Sequence, residues 1–163
     1  MFKLLILDID GVLTDGTKTY DLDGNVLSKT FHDHDFTAIK MLRKINIDVC
    51  FLSGDRRVNE NMAKNRNIKF FHNEKGADKS VYLEGICSQY SVTTEEVGSI
   101  GDDVYDLSIL KMVKYPMCPE DAVRDVTELC EEDGYVIPCK GGRGVVKNLY
   151  YENQWFLKAS WKK

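Results

Sequence analysis

Apolar and polar positions alternate along this chain in blocks rather than residue by residue. Residues 3–7 (KLLIL) are almost wholly apolar, as in a strand buried on both faces, and a loop rich in Gly, Thr and Asp follows. Residues 17–20 and 26–31 flank DLDGN, whose Asp23-Gly24 is a strong turn signal, so a β-hairpin is expected over 17–31. A helix is expected over 36–43, and 47–54 (IDVCFLSG) is a second buried strand that ends in small polar residues. A helix over 57–65 and a short strand over 68–71 come next. From 79 to 90, Leu83, Ile86, Cys87 and Tyr90 share one helical face. Thr93 and Glu96 stand at capping-box spacing, residues 97–100 read as a strand running into Gly101-Asp102-Asp103, and 104–113 as a helix. Strands alternating with helices imply one α/β domain over 1–163, a Rossmann-like parallel sheet with helices on both faces. The hairpin is its small insert. A Gly-rich segment and a final helix, about 140–158, end the chain.

Composition narrows the function. The 163 residues are 43% hydrophobic and 29% charged, the balance of a soluble globular domain. A net charge of -4 argues against nucleic acid or an anionic membrane as partner, because both need a basic footprint. The N-terminal apolar run is too short for a signal-peptide core and is cut by Asp8, and nothing approaches a membrane span. Five cysteines, an odd number with no C-x-x-C spacing, sit mostly in apolar runs, which points to a reducing cytoplasm.

The polar residues at the strand ends carry the candidate chemistry. In open parallel sheets, ligands bind beyond the carboxyl ends of the strands. Asp8 and Asp10 follow the first strand, Ser53 and Gly54 the second, and Asp102 and Asp103 a later one; Lys79 begins the helix between the last two. Carboxylates brought together repel unless a cation sits among them, and hard oxygen ligands suit Mg²⁺. Ser53, the Gly54 amide and Lys79 supply donors and positive charge for a phosphate. Taken singly, each has a plainer use: an Asp-x-Asp as a turn, Lys79 as a solvated helix residue, Asp103 and Asp106 as caps of the following helix. FHDHDF (31–36) has the look of a transition-metal site, but no further His or Cys stands at ligand spacing, so His32 and His34 are expected to be structural or substrate-facing.

DIDGVLTDG, LSG, GADK and GDDVYD, in this order, resemble the four motifs of the haloacid dehalogenase superfamily of phosphatases. The long first motif and GGRGVV at 141–146 resemble its small capless branch, which contains the 3-deoxy-D-manno-octulosonate 8-phosphate and nonulosonate 9-phosphate phosphatases. The similarity spans about 4–149. It implies Asp8 as nucleophile, Asp10 as acid/base, and Mg²⁺ held by Asp8, the Asp10 carbonyl and Asp102, with Asp103 and Asp106 in an outer shell. Ser53, Gly54 and Lys79 would hold the phosphate. The resemblance further implies a phosphosugar substrate, a 2-keto-3-deoxy sugar acid phosphate or else a nonulosonate phosphate, and a homotetramer assembled through the hairpin. Asp35 stands where the branch has an Arg-Asp-Gly stretch, here His34-Asp35-Phe36, and Asp55 where the family has Arg or Glu. Arg143, with three glycines around it, offers a fork of donors for the sugar acid's carboxylate. Two alternatives follow from the same residues. One is an idle assembly module of the kind fused to cytidylyltransferases, although this chain keeps Asp8, Asp10 and Lys79. The other is a phosphoacceptor receiver, although its acids would come in a different order.

Overall fold

The computed structural model describes residues 2–74 and 77–152. Its centre is β1 (Leu4–Leu7), buried at every position. Around it lies a six-stranded, all-parallel sheet in the order β5-β4-β1-β6-β7-β8. Here β4 is Asp48–Ser53, β5 Lys69–His72, β6 Val97–Ile100, β7 Tyr115–Pro119 and β8 Tyr135–Ile137. Side chains alternate across a strand, so the apolar runs feed two cores. Leu5, Leu7, Val49 and Phe51 face α1 (Asp33–Lys44), α2 (Arg57–Asn65) and α6 (Val145–Tyr151). Leu4, Ile6, Cys50 and Leu52 face α3 (Leu83–Tyr90) and α4 (Leu107–Leu110). Leu110 and Cys118 pack with Val126 and Cys130 of α5 (Arg124–Asp133). The doubly covered sheet matches the expected fold class. All five cysteines are unbridged, four of them buried.

Several boundaries differ from the sequence reading. Helix α1 begins three residues before 36 and takes Asp33 and Asp35 into its first turn, where carboxylates oppose the positive helix end. Residues 79–90 form a 3₁₀ turn (Lys79–Tyr82) that continues into α3, and Val104–Asp106 is likewise a 3₁₀ turn before a one-turn α4. The strand β7 escapes notice in the sequence because Pro116 and Pro119 argue against an interior strand. The final helix is described to Tyr151, and the remainder of the expected 140–158 segment lies outside the described residues.

The insert is an antiparallel hairpin of β2 (Thr19–Tyr20) and β3 (Val26–Ser28), shorter than expected at both ends. Asp15 takes the Thr17 amide (3.0 Å) into a local turn, and Lys29 leaves the ladder for the sheet edge. Asp21 accepts the Asp23 and Asn25 amides across a turn that needs Gly24 at φ +80°. The hairpin holds Tyr20, Leu22 and Leu27 out into solvent.

Candidate active site

Because β1 lies between β4 and β6, the loops that leave these three strands share one edge. Leu7 is in register with both Phe51 and Ile100, and the Asp8 amide donates to the Ile100 carbonyl at 3.0 Å, extending the ladder by one residue. Asp8, Asp102 and Asp106 each bring a carboxylate oxygen within 4.8 Å of the others. Gly11, at φ +82°, makes this possible: a Cβ there would run into the Asp102 carboxylate. Lys79 is buried, with Nζ 3.1 Å from Asp8 Oδ1 and 2.6 Å from Asp106 Oδ1. Asp106 also accepts the amides of Asp102 (3.0 Å) and Asp103 (3.2 Å), so it supports the lysine and the loop together. Asp103 caps the following turn by accepting the Val104 amide.

The electrostatics of this cluster are those of a site short of positive charge. Burial pushes Asp8 up to about 6, with Lys79 opposing and Asp106 adding to the shift. Burial, then the charges of Asp8 and Asp106, push Asp102 up to about 8. Burial works against the Lys79 charge, but Asp8 and Asp106 outweigh it and raise its pKa. Asp102 Oδ1 is buried without a hydrogen-bond partner. A carboxylate cluster with a spare oxygen and a raised pKa fits a hard divalent cation. Asp8 and Asp102 have oxygens to give it, whereas Asp106 is committed to Lys79 and two amides.

The Asp10 side chain lies in a second network. Lys29 Nζ approaches both its oxygens, at 2.8 and 2.9 Å, and Asn59 Nδ2 donates to it at 3.2 Å. The same Nζ reaches Asp55 at 2.6 Å and Asn59 Oδ1 at 2.9 Å, and Asn59 Nδ2 also reaches the buried Ser53 Oγ at 3.1 Å. Lys18, part-exposed, pairs with Asp55 at 3.2 Å. Sequence reading missed Lys29, Asn59 and Lys18, and noted Asp55 only as a departure. Nothing near Lys29 in the sequence signals its role, because its partners lie far along the chain.

Two expected substrate residues lie apart from this cluster. Asp35 is buried under α6, where its Oδ1 accepts the Lys147 amide at 2.8 Å, and burial pushes it up to about 6. In this place it ties α1 to α6 and so fixes the Gly-rich segment. That segment makes its close approach to the first-motif loop of its own chain. The Gly142 amide donates to the Val12 carbonyl at 3.0 Å, and a Cβ on Gly141 would strike the Gly11 carbonyl. Arg143 is exposed and adds to the lowering of the Asp15 carboxyl, which comes chiefly from the Thr17 hydrogen bonds. The His32 and His34 rings meet at a tilt of 60°, 5.2 Å between centroids. Among the described residues, the one cluster able to hold a metal is that of Asp8, Asp102 and Asp106.

A carboxylate set against a buried ammonium, at the carboxyl edge of a parallel sheet, is suited to binding and reacting with a phosphate group. The chain belongs to the haloacid dehalogenase-like hydrolases, whose family model matches residues 55–149, and within them it is a phosphatase. The curated 3-deoxy-D-manno-octulosonate 8-phosphate phosphatase of Haemophilus influenzae is 33% identical over 148 residues, 90% of this chain and 79% of that protein. The cobalt-bound structure of the deoxy-D-mannose-octulosonate 8-phosphate phosphatase from Haemophilus influenzae is similar at a TM-score of 0.81, with 30% identity and 96% of each chain covered. The Yersinia pestis structure of the same activity gives 0.81 and 30%, over 97% of this chain and 85% of that one.

Proposed function

We propose that this protein is a single-domain, Mg²⁺-dependent phosphomonoester hydrolase acting on a 2-keto-3-deoxy sugar acid phosphate of the 3-deoxy-D-manno-octulosonate 8-phosphate type. The observation that carries the chemistry is the Asp8–Lys79–Asp106 contact beside Asp102. Asp8 attacks phosphorus, forming an acyl-phosphate as the ester P–O bond breaks. Asp10 gives its proton to the departing alkoxide and then takes one from the water that attacks the same phosphorus, which frees Asp8 and releases phosphate. Lys79, Ser53 and the Gly54 amide hold the transferring oxygens. Mg²⁺, held by Asp8, Asp102 and the Asp10 carbonyl, would screen the phosphate from the anionic nucleophile. The substrate class rests on the relatives named above. Its test is phosphate release from a panel of phosphosugars. The sugar acid phosphate should give the highest kcat/KM, and preference for a neutral hexose phosphate would count against the assignment.

The cation can be detected without turnover. Asp8 and Asp102 have folded pKa values of about 6 and 8, above the unfolded 3.8. Groups raised in this way contribute stability at low pH and lose it as pH rises through the folded values. The metal-free protein should therefore melt at a lower temperature at pH 8 than at pH 6. Saturating Mg²⁺ should raise the melting temperature by roughly 5–10 °C at pH 8 and less at pH 6, where protons compete. Asp102→Asn should remove most of that rise. No response to Mg²⁺ at pH 8 would contradict the assignment.

Arg143 is proposed as the ligand of the sugar acid's carboxylate. Arg143→Ala should lower kcat/KM on the sugar acid phosphate by roughly 10-fold or more, the effect of one lost charge-assisted hydrogen bond. Hydrolysis of 4-nitrophenyl phosphate, which has no carboxylate, should barely change. Equal loss on both substrates would place the damage in the loop that the glycines pack against.

We further propose a cytoplasmic homotetramer. In support, Tyr20, Leu22 and Leu27 are large apolar side chains exposed on a two-stranded hairpin, an element marginal by itself in water. No described helix is long and apolar enough to cross a membrane. Light scattering at micromolar concentration should give four times the chain mass, and Leu22→Asp with Leu27→Asp should lower it. A monomeric wild-type mass would contradict the assembly.

A further inference from the structure

The hairpin does more than expose apolar side chains. Lys29, one residue beyond β3, turns its whole side chain inward, where it is 0% exposed. An ammonium has three protons, and here three acceptors meet it: Asp10, Asp55 and Asn59. Asn59 has two amide protons, and its Nδ2 faces Asp10 and Ser53. Lys29 Nζ thus hydrogen-bonds Asp10 Oδ2 and Asn59 Oδ1 and stands at ion-pair distance from Asp10 Oδ1 and Asp55 Oδ2, so one ammonium faces both Asp10 oxygens. A buried ion pair kept for stability alone is a poor investment, since apolar residues of the same volume usually do as well. A buried cation set between two carboxylates, one of them in the Asp-x-Asp of the first motif, has a different use. It fixes where that carboxylate points.

We propose that Lys29 is the positioning residue for Asp10, so that the hairpin forms part of the catalytic apparatus. Asp55 is the counter-anion that keeps the ammonium in place, and Asn59 links Asp10 to Ser53 so that the proton-transfer group and a phosphate-holding residue move together. The inference rests on the reading of Asp10 as acid/base. A misplacement of about 1 Å in a reacting group can cost on the order of 10²-fold. That cost should fall on reactions that need the proton. An alkyl ester must have its leaving oxygen protonated, whereas 4-nitrophenolate leaves without help.

The test compares kcat/KM for 4-nitrophenyl phosphate with kcat/KM for the best alkyl phosphate of the panel, in the full chain with Mg²⁺. Lys29→Met should lose roughly 10- to 100-fold on the alkyl ester and no more than about threefold on the aryl ester. Added to Asp10→Asn, it should cost nothing more on the alkyl ester, because the group it positions is already lost. Equal losses on both esters, or losses that multiply in the double variant, would make Lys29 a stability residue and overturn the proposal. Removing the ammonium leaves only the part-exposed Lys18, 3.7 Å from Asp10 and 3.2 Å from Asp55, to offset the two carboxylates, so Lys29→Met is also made together with Asp55→Asn. If the single variant does not fold, the pair carries the same outcomes, and if the pair does not fold either, the role is structural and the proposal fails. Full alkyl-phosphatase activity in Asp10→Asn alone would remove the acid/base reading itself, a result distinct from any result at Lys29.

Discussion

Asp8→Asn is expected to hydrolyse no phosphomonoester at a measurable rate. A carboxamide at this position cannot form the acyl-phosphate, and loss of a covalent nucleophile costs far more than loss of a hydrogen bond, at least about 10⁴-fold. The variant should nevertheless fold as well as the parent. Burial raises Asp8 to about 6, so at neutral pH its charge is held at a cost beside Asp106. Asn has the same shape and still offers an oxygen to the Ile9 amide, which Asp8 Oδ1 accepts at 2.8 Å. Its melting temperature without divalent ion should equal or exceed that of the parent. Phosphate release and a thermal melt on the same preparation separate lost chemistry from lost structure. Turnover above about one part in 10³ would place the nucleophile elsewhere.

Lys79→Met should damage both activity and stability, and the contrast with Asp8→Asn is the point of the comparison. Removing a preorganised donor from a transferring phosphoryl group costs about 10²–10³-fold in kcat. The same change leaves Asp106, buried at 2% exposure, without its 2.6 Å partner. Breaking a buried ion pair on one side costs roughly 3–5 kcal/mol. For a chain of this length that corresponds to a melting temperature lower by roughly 10 °C. The Asp102 and Asp103 amides also lean on Asp106, so the response to Mg²⁺ should weaken as well. Near-wild-type kcat in a folded Lys79→Met protein would take this lysine out of the phosphate chemistry.

What the sequence disclosed followed the range of the interactions. The strands β1, β4 and β6 are legible because each is a short apolar run, and the polar residues that end them must then meet at one edge. Asp8, Ser53, Lys79 and Asp102 announce themselves through local motifs in a fixed order. Lys29 and Asn59 do not, because they reach Asp10 across 19 and 49 positions and no local pattern records such a pairing. Strand β7 is concealed by its prolines and β8 by its three-residue length. The glycines at 141 and 142 pack against the loop at Gly11 to Asp15 of the same chain, a contact that no local pattern records. Asp35 was singled out only through the resemblance, as a substrate residue, and its observed partner, the Lys147 amide, lies 112 positions away.

The central claim is that phosphate passes through Asp8, and the intermediate can be caught. Asp10→Asn should slow breakdown of the acyl-phosphate, because the attacking water loses its base. An acid quench of this variant during turnover of 4-nitrophenyl phosphate with Mg²⁺ should leave a chain heavier by one phosphoryl group. Fragmentation of the tryptic peptide spanning residues 4–18 should place that group on Asp8, and its amount should rise and then decay as substrate is exhausted. A chain that releases phosphate while never carrying the added mass, or that carries it on a residue other than Asp8, would contradict the account.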